Sequence, residues 1–291
     1  MSISPLLVIF VALFAAAEVV KFVRGDSLWG TIDLVLACIL AIVCVLTRWF
    51  TRDATALEPP AIRGRALPLQ LFACALVIVA TGLGPLASQG FIPIWLRVPL
   101  WDRVRELIYA FAAHALPAQF ANGVANFAMY CVPIGIALLL LGVPLSQQGL
   151  GRFRRGSFAS ALAWLLLPVG VFAFALFSGR VPLLTILSTW VSNLLQNGAS
   201  EEFLWRGAVL GRLRAVMKTE YALFAQAILF ALWHAGADLH GYHGDVLNAI
   251  ADMVASQALF GLAAGYVTVR TGNIAISSAF HLMFDSLEIL Q

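Results

Sequence analysis

The stretch PLQLFACALVIVATGLGPLA, residues 68–87, contains no charged side chain. About 20 largely apolar residues are enough to cross a hydrocarbon core of ~30 Å. Lipid offers the backbone no hydrogen-bond partner, so a spanning segment of this kind forms a helix. Similar apolar segments recur near residues 4–20, 31–47, 122–145, 158–178, 181–197, 220–236, 246–269 and 273–290. We therefore predict an all-α fold, a polytopic transmembrane helix bundle of about 8 spans.

The composition of the whole chain leads to the same class of protein. Hydrophobic residues make up 61% of the 291 residues and charged residues 11%. A soluble globular domain is roughly 45–50% apolar and about 25% charged. The excess apolar surface is too large for a buried core of this size, so membrane lipid is an expected partner. No basic face is long enough to indicate nucleic acid, and we expect no nucleic-acid partner.

The basic residues between the apolar segments indicate an orientation. Loops on the cytoplasmic side are enriched in lysine and arginine. The basic clusters follow the second, fourth and sixth predicted spans, which places the amino terminus in the cytoplasm. The alanine- and arginine-rich composition indicates a bacterial inner membrane. Lys21 and Arg24 are exceptions on the opposite side, and so are Arg103 and Arg105, which Asp102 and Glu106 partly offset. The three clusters are Arg48, Arg52, Arg63 and Arg65; Arg152, Arg154 and Arg155; and Arg212, Arg214 and Lys218.

Residues 88–122 differ from the spans on either side. They combine Trp95 and Trp101 with Arg97, Arg103 and Arg105. Aromatic and basic side chains in one short segment are typical of a helix that lies in the membrane interface. We predict an interfacial amphipathic helix plus a loop here.

The sequence EEFLWR, residues 201–206, places charged residues in an apolar segment. Ionisable side chains inside a membrane cost several kcal/mol unless they are paired, so they are functional candidates. On a helix Glu202 and Arg206 share a face, which predicts an ion pair. Glu201 is rotated by about 100° from that face and stays free to act as a general base. Ser200 is a candidate N-cap for the helix that carries these residues.

Two further motifs follow within ninety residues. The sequence FALWH, residues 230–234, ends an apolar helix at His234. The sequence HLMFD, residues 281–285, places His281 and Asp285 on one helical face, where the carboxylate can orient the imidazole. Three helices would then contribute ionisable groups to one polar pocket.

Two glutamates, two histidines and an aspartate allow two chemistries. They can activate a water molecule and stabilise an oxyanion, or they can bind a divalent metal ion. The metal ligands would be Glu201, His234 and His281. His240 and His243 could extend such a site, but a solvated loop is the simpler interpretation of their position.

The three motifs EExxxR, FxxxH and HxxxD occur here in the order and spacing of a known family. The chain resembles the CPBP family of CAAX proteases and bacteriocin-processing proteins, also called Abi, which includes the type II CAAX prenyl endopeptidases and the immunity proteins. The resemblance covers approximately residues 145–291, and residues 142–155 are similar to the usual lead-in to that domain. It implies an all-helical intramembrane endopeptidase, a protease and hydrolase of the cell membrane.

The resemblance also implies roles for the residues in the motifs. Glu201 would activate the attacking water molecule with His234 as its partner, and Glu202 would be held by Arg206. The motif EExxxR lacks the two histidines of a zincin helix, which favours a glutamate mechanism without a cofactor over a metal-dependent one.

The third motif would complete the catalytic pocket. His281 and Asp285 would help to stabilise the oxyanion. Family members often carry asparagine at the position of Asp285, and an ionised aspartate is a poorer oxyanion donor than asparagine, which leaves its role open.

The organisation predicted from these motifs has two parts. Residues 1–145 form an N-terminal transmembrane region of unassigned role, and residues 146–291 form a CPBP-like intramembrane protease domain. The expected substrate is a membrane-associated protein or peptide, including CAAX-type or C-terminally anchored ones. The alternative is a non-catalytic binding or immunity protein that uses the same polar pocket.

Overall fold

Six helices form the first part of the fold, from Pro5 to Phe177, a range that differs from the predicted division at residue 145. The computed structural model describes residues 4–54 and 66–290, and their regular elements are helical throughout. A short 3-10 helix, Ile94–Leu96, precedes α4, and a second, Leu145–Gln147, follows α5. The six helices are α1 Pro5–Val23, α2 Ser27–Phe50, α3 Ala66–Ser88, α4 Pro99–Ala113, α5 Ala118–Leu140 and α6 Ser157–Phe177.

The second part consists of shorter helices joined by π-helical segments. These segments are Leu194–Gly198, Phe203–Val209 and Met253–Ala258, and a 3-10 helix, Ser286–Leu290, follows the last helix. The helices are α7 Leu183–Asn193, α8 Ser200–Glu202, α9 Leu210–Val216, α10 Thr219–Trp233, α11 Ala235–Gly241, α12 Val246–Asp252, α13 Leu259–Thr271 and α14 Ile274–Asp285.

The predicted all-α transmembrane bundle is confirmed, with fewer full-length spans than about eight. Among the described residues, 6 helices are long and apolar enough to cross a membrane: α1, α2, α3, α5, α6 and the run Val246–Thr271. The pair α10 and α11, bent by 49°, raises the number to 7. The predicted spans at 181–197 and 273–290 are not among these candidates, and the α-helices there, α7 and α14, have 11 and 12 residues.

The surface of the bundle is apolar on the helices that face outward. Phe177 on α6 is 87% exposed and Leu140 on α5 is 82% exposed. Exposed apolar patches of this extent mark contact with a partner or with lipid. Because such side chains recur on α1, α2, α3, α5 and α6, the protein is an integral membrane protein.

The core lies where the helices of the second part meet α2, α3 and α5. Trp205 and Phe230 are completely or almost completely buried there and meet edge to face, with ring centroids 5.7 Å apart. Phe260 on α13 stacks on Phe280 of α14 at 5.4 Å. Aromatic pairs at these separations add stability beyond their buried area, so this core fixes α10, α13 and α14 relative to one another.

Helix α4 occupies the segment predicted to be interfacial. Arg97 pairs with Asp102 at 2.6 Å, and Arg103 with Glu106 at 3.4 Å. Trp95, just before the helix, is 75% exposed. The predicted helix plus loop is present, and its position at a lipid surface stays a prediction.

Two of the basic residues that oppose the predicted orientation, Lys21 and Arg24, form ion pairs within the fold. Lys21 on α1 is fully buried, and its ammonium group contacts Asp33 on α2 and Asp252 on α12. Arg24 pairs with Asp245 at 2.6 Å. Both cations are therefore neutralised within the fold. The cytoplasmic amino terminus stays a prediction, and two of the arginines on which it rests, Arg63 and Arg65, lie outside the described residues.

The loop before α6 packs closely on the helices that carry the motifs. The oxygen of Gln148 lies so near Gly207 that a Cβ at Gly207 would be 2.4 Å from it. Gly149, in the left-handed conformation at φ 85°, accepts a hydrogen bond from the nitrogen of Ile274 at 2.8 Å. Glycine is the residue that permits both the positive φ and the close approach. The loop thereby contacts both the helical segment of the first motif, at Gly207, and the start of α14, at Ile274.

Candidate active site

The first motif lies within a helical run from Leu183 to Val216 that contains two π segments. The three-residue helix α8 carries Glu201 and Glu202 between those segments. Single-turn π segments inside helices occur frequently at functional sites because they change which face a side chain presents. The predicted N-cap role of Ser200 is wrong: Ala199 occupies that position in helical geometry, and the Ser200 hydroxyl donates to the Leu195 carbonyl instead. The chain does not start a new helix there, so it offers no free backbone N–H groups to cap.

The predicted ion pair between Glu202 and Arg206 is present and completely buried. Glu202 Oε1 lies 2.9 Å from Arg206 Nη1, and both side chains are inaccessible to solvent. The guanidinium carbon lies 4.4 Å from the centroid of the Phe230 ring and 5.6 Å from that of Phe260. A cation against aromatic faces is stabilised when it is desolvated. Arg206 is thus held by one carboxylate and two rings, and it neutralises Glu202.

His281 shares the same carboxylate. Its Nδ1 lies 3.0 Å from Glu202 Oε1, within hydrogen-bonding distance, and the histidine is 5% exposed. A carboxylate is only an acceptor, so Nδ1 carries the hydrogen of this bond. Glu202 therefore sets the orientation of the His281 ring and leaves Nε2 directed at the rest of the pocket.

Glu201 lies between the two histidines of the motifs. Its Oε2 is 3.6 Å from His234 Nε2 and 3.9 Å from His281 Nε2. These separations are too long for direct hydrogen bonds. Oε2 is buried and has no hydrogen-bond partner. A buried carboxylate oxygen without a partner is costly unless a small molecule such as water satisfies it.

His234 lies at the bend between α10 and α11. Its Nδ1 is 2.9 Å from the carbonyl oxygen of Phe230, one turn earlier on α10. The carbonyl is an acceptor, so this contact assigns the hydrogen to Nδ1 and leaves the lone pair of a neutral ring on Nε2. The nitrogen that faces Glu201 is therefore able to accept a hydrogen bond.

Asp285 closes the pocket from the end of α14. Its Oδ2 accepts a hydrogen bond from Asn197 Nδ2 at 2.6 Å and lies 3.5 Å from His281 Nε2. The sequence interpretation did not include Asn197, which lies one helical turn before Glu201. A polar amide four residues before a buried glutamate is the signal that would have indicated it. The structure thus brings all six predicted residues together and adds a seventh.

The residues present do not form a preformed metal site. Bound nitrogen and oxygen ligands surround zinc at about 2.0–2.2 Å. Among the residues of the ranges 4–54 and 66–290, no group of three or more His, Cys, Asp or Glu side chains is arranged to hold a metal ion. His281, one of the candidate ligands, has its Nδ1 engaged by Glu202 and presents only Nε2 to the pocket. His240 lies on α11 and only His243 lies on the loop after it; both are exposed and do not join the pocket.

The fold and the pocket define an all-helical, multi-pass membrane protein with a buried carboxylate and imidazole site. Residues 181–287 match the family model of Type II CAAX prenyl endopeptidase Rce1-like. The matched segment is therefore similar to the family that the three motifs indicate, and that family implies a protease. The match includes all six predicted site residues, and residues 1–180 lie outside it. No curated protein and no solved structure matches the chain.

Proposed function

We propose that this protein is an intramembrane endopeptidase in which Glu201 activates a water molecule to hydrolyse a peptide bond of a membrane-associated substrate. The observation that carries the proposal is the buried, unpartnered Oε2 of Glu201 beside the Nε2 atoms of His234 and His281. A nucleophilic water bound to this oxygen would have a base on one side and imidazole groups around it.

The chemical step needs only the side chains of this pocket. Glu201 takes one proton from the water while the water oxygen bonds to the carbonyl carbon of the substrate. The π electron pair of the carbonyl moves onto its oxygen and forms an oxyanion. The C–N bond then breaks, and the proton held by Glu201 passes to the leaving amine. The lone pair on His234 Nε2 accepts the second hydrogen of the water and orients it.

His281 is suited to stabilise the oxyanion. It faces the carboxylates of Glu201, Glu202 and Asp285. In that environment the imidazole is best satisfied with a hydrogen on each nitrogen, because carboxylates only accept. The Nε2–H then provides a donor for the developing negative charge, and such donors contribute strongly in a site that excludes water.

Glu202 and Arg206 would act on this chemistry through their neighbours. Neutralisation of Glu202 by Arg206 leaves Glu201 as the uncommitted carboxylate of the pair. Glu202 also fixes the ring of His281 through Nδ1. Loss of Arg206 would leave a buried glutamate without its cation, which is strongly destabilising.

The substrate proposed from the family is a membrane-associated protein or peptide, including CAAX-type and C-terminally anchored ones. The membrane proposed is a bacterial inner membrane. The pocket lies within the bundle formed by α5, α10, α13 and α14, so the scissile bond has to reach it within or near the bilayer.

Proteolysis in liposomes tests the proposal. Purified protein would be incubated with lipidated C-terminal peptides and with transmembrane peptides, with and without a chelator. Glu201→Gln and His234→Gln are expected to lower kcat by about 100- to 10,000-fold, the range for loss of a general acid–base group. Glu220→Gln and His240→Gln are matched controls, since both residues are exposed, and they should cleave like the wild type.

Each outcome has a separate meaning. Loss of cleavage with the chelator would indicate the metal-dependent version of the reaction instead. Equal cleavage by Glu201→Gln and the wild type would refute the assigned base. Binding of the peptides without cleavage by the folded wild type would favour the binding or immunity protein.

A further inference from the structure

Helix α3 contacts the bend that carries His234, although α3 lies outside the segment that matches the family. The bend is made by His234, which ends α10 and precedes α11. The residues on either side of it, Trp233 and Gly236, both touch α3. These contacts come from a part of the chain for which the motifs predict no role.

The first contact is a directional hydrogen bond. Trp233 Nε1 donates to Thr81 Oγ1 at 2.8 Å. The Thr81 hydroxyl donates in turn to the carbonyl of Val77 at 2.7 Å, so its lone pair is directed at the indole. The ring of Trp233 also meets Tyr130 and Trp205 edge to face. Those contacts are apolar, and α3 supplies the polar one.

The second contact is a close approach of α3 and the bend at Gly82 and Gly236, which have no side chains. A Cβ at Gly82 would lie 2.9 Å from Cδ1 of Trp233, so the indole packs directly on the backbone of α3. A Cβ at Gly236 would lie 2.8 Å from Cβ of Pro85. Both distances are shorter than real contacts of this type allow. The two helices therefore approach as closely as their glycines permit.

These contacts help to fix the backbone on either side of His234. The hydrogen bond from His234 Nδ1 to Phe230 sets the rotation of the ring within α10. It does not set the distance between α10 and Glu201, which is on another helix. The residues that flank His234 contact α3, so α3 contributes to the position of the imidazole relative to the carboxylate.

We infer that Thr81 and Gly82 of α3 are positioning residues that hold His234 Nε2 at its working distance from Glu201. This inference rests on the proposed function for its kinetic consequence, but its geometric part is independent of proteolysis. It assigns a role to the N-terminal region: α3 completes the pocket of the matched segment.

Two matched pairs of substitutions test the inference. Thr81→Val keeps the shape of the side chain but removes the acceptor of the Trp233 hydrogen bond, whereas Thr81→Ser keeps it. Gly82→Ala places a methyl group against Trp233, whereas Gly84→Ala meets nothing closer than Asp102 Oδ1 at 3.6 Å. Thermal unfolding of all four variants establishes that each is folded.

The expected kinetic result is a split between kcat and KM. A displacement of about 1 Å at a reacting group can cost 100-fold in rate. Thr81→Val and Gly82→Ala are therefore expected to lower kcat by about 10- to 100-fold with little change in KM. Thr81→Ser and Gly84→Ala are expected to retain the wild-type kcat.

A spectroscopic readout separates this inference from the proposed function. The chain has five histidines, so protein labelled with ¹³C-histidine gives few ring signals, and His234→Gln identifies the one from His234. That signal should shift in Thr81→Val and Gly82→Ala and stay unchanged in Thr81→Ser and Gly84→Ala. A shift in a protein that cleaves nothing would support positioning while the proposed function fails. An unchanged His234 signal in folded Thr81→Val and Gly82→Ala would overturn the inference.

Discussion

Lys21 offers the sharpest test of how the first helices are joined to the rest of the bundle. Its ammonium group is completely buried and contacts the carboxylates of Asp33 and Asp252, the latter at 2.5 Å. The three residues lie on α1, α2 and α12, so one cation joins three helices. Asp33 is 3% exposed and has no access to solvent that would compensate for the loss of its partner.

We expect Lys21→Met to destabilise the protein strongly. The substitution keeps a long apolar stem but leaves a buried carboxylate without its cation, which costs about 3–5 kcal/mol. For a domain of 150–250 residues, 1 kcal/mol changes Tm by about 2–4 °C. The Tm in detergent should therefore fall by about 6 °C or more, measured by tryptophan fluorescence.

The control is an ion pair on the surface. Arg103 and Glu106 are 3.4 Å apart, with side chains 69% and 61% exposed. Exposed pairs contribute about 0–1 kcal/mol, so Arg103→Met should lower Tm by no more than about 4 °C. Adding Asp33→Asn to Lys21→Met should recover part of the lost stability, because it removes the uncompensated charge. The reasoning fails if Lys21→Met and Arg103→Met change Tm equally.

Two further predictions concern the pocket and a loop outside the membrane spans. Asp285→Asn is expected to keep kcat/KM within about tenfold of the wild type, because an asparagine oxygen can still accept from Asn197; complete loss of cleavage would show that the negative charge beside His281 is required. The hydrogen bond from Arg24 holds the pKa of Asp245 below its ordinary value. The Asp245 carboxyl group therefore binds its proton less tightly in the folded state than in the unfolded state. The pair of Arg24 and Asp245 stabilises the folded protein above about pH 4, and this stabilisation is lost as the pH falls through the lowered pKa of Asp245. The Tm difference between wild type and Asp245→Asn should be present at neutral pH and decrease as the pH falls below about 4, and a difference that is independent of pH would contradict this assignment.

Two contacts of the candidate site could be predicted from the spacing of residues along the chain. The pair Glu202 and Arg206 follows from a separation of four residues on a helix, and the structure has that pair at 2.9 Å. The same rule placed His281 and Asp285 on one face, where they lie 3.5 Å apart. Both predictions concern residues four apart along one helical run. The separation of such side chains is set by the helical repeat and depends little on the remaining fold.

Predictions that depended on helix ends were less successful. Serine is a preferred N-cap residue, but at Ser200 the helix continues, with a π segment on each side of α8. The spans predicted at 181–197 and 273–290 correspond to α-helices of 11 and 12 residues, which continue into π and 3-10 segments. A π or 3-10 turn changes the hydrogen-bond pattern without changing the apolar content, so the sequence carries little signal of it.

The amino-acid sequence by itself determined that this protein is a helical membrane protein with three motifs that resemble a protease family. Apolar content and residue spacing along one helix are sufficient for that, because lipid and the helical repeat act locally. Only the tertiary structure decided that Glu201, His234 and His281 meet, that Glu202 binds His281, and that α3 contacts the bend at His234. These are contacts between helices distant in the chain, and they depend on side-chain packing and close backbone approach, which no local pattern specifies.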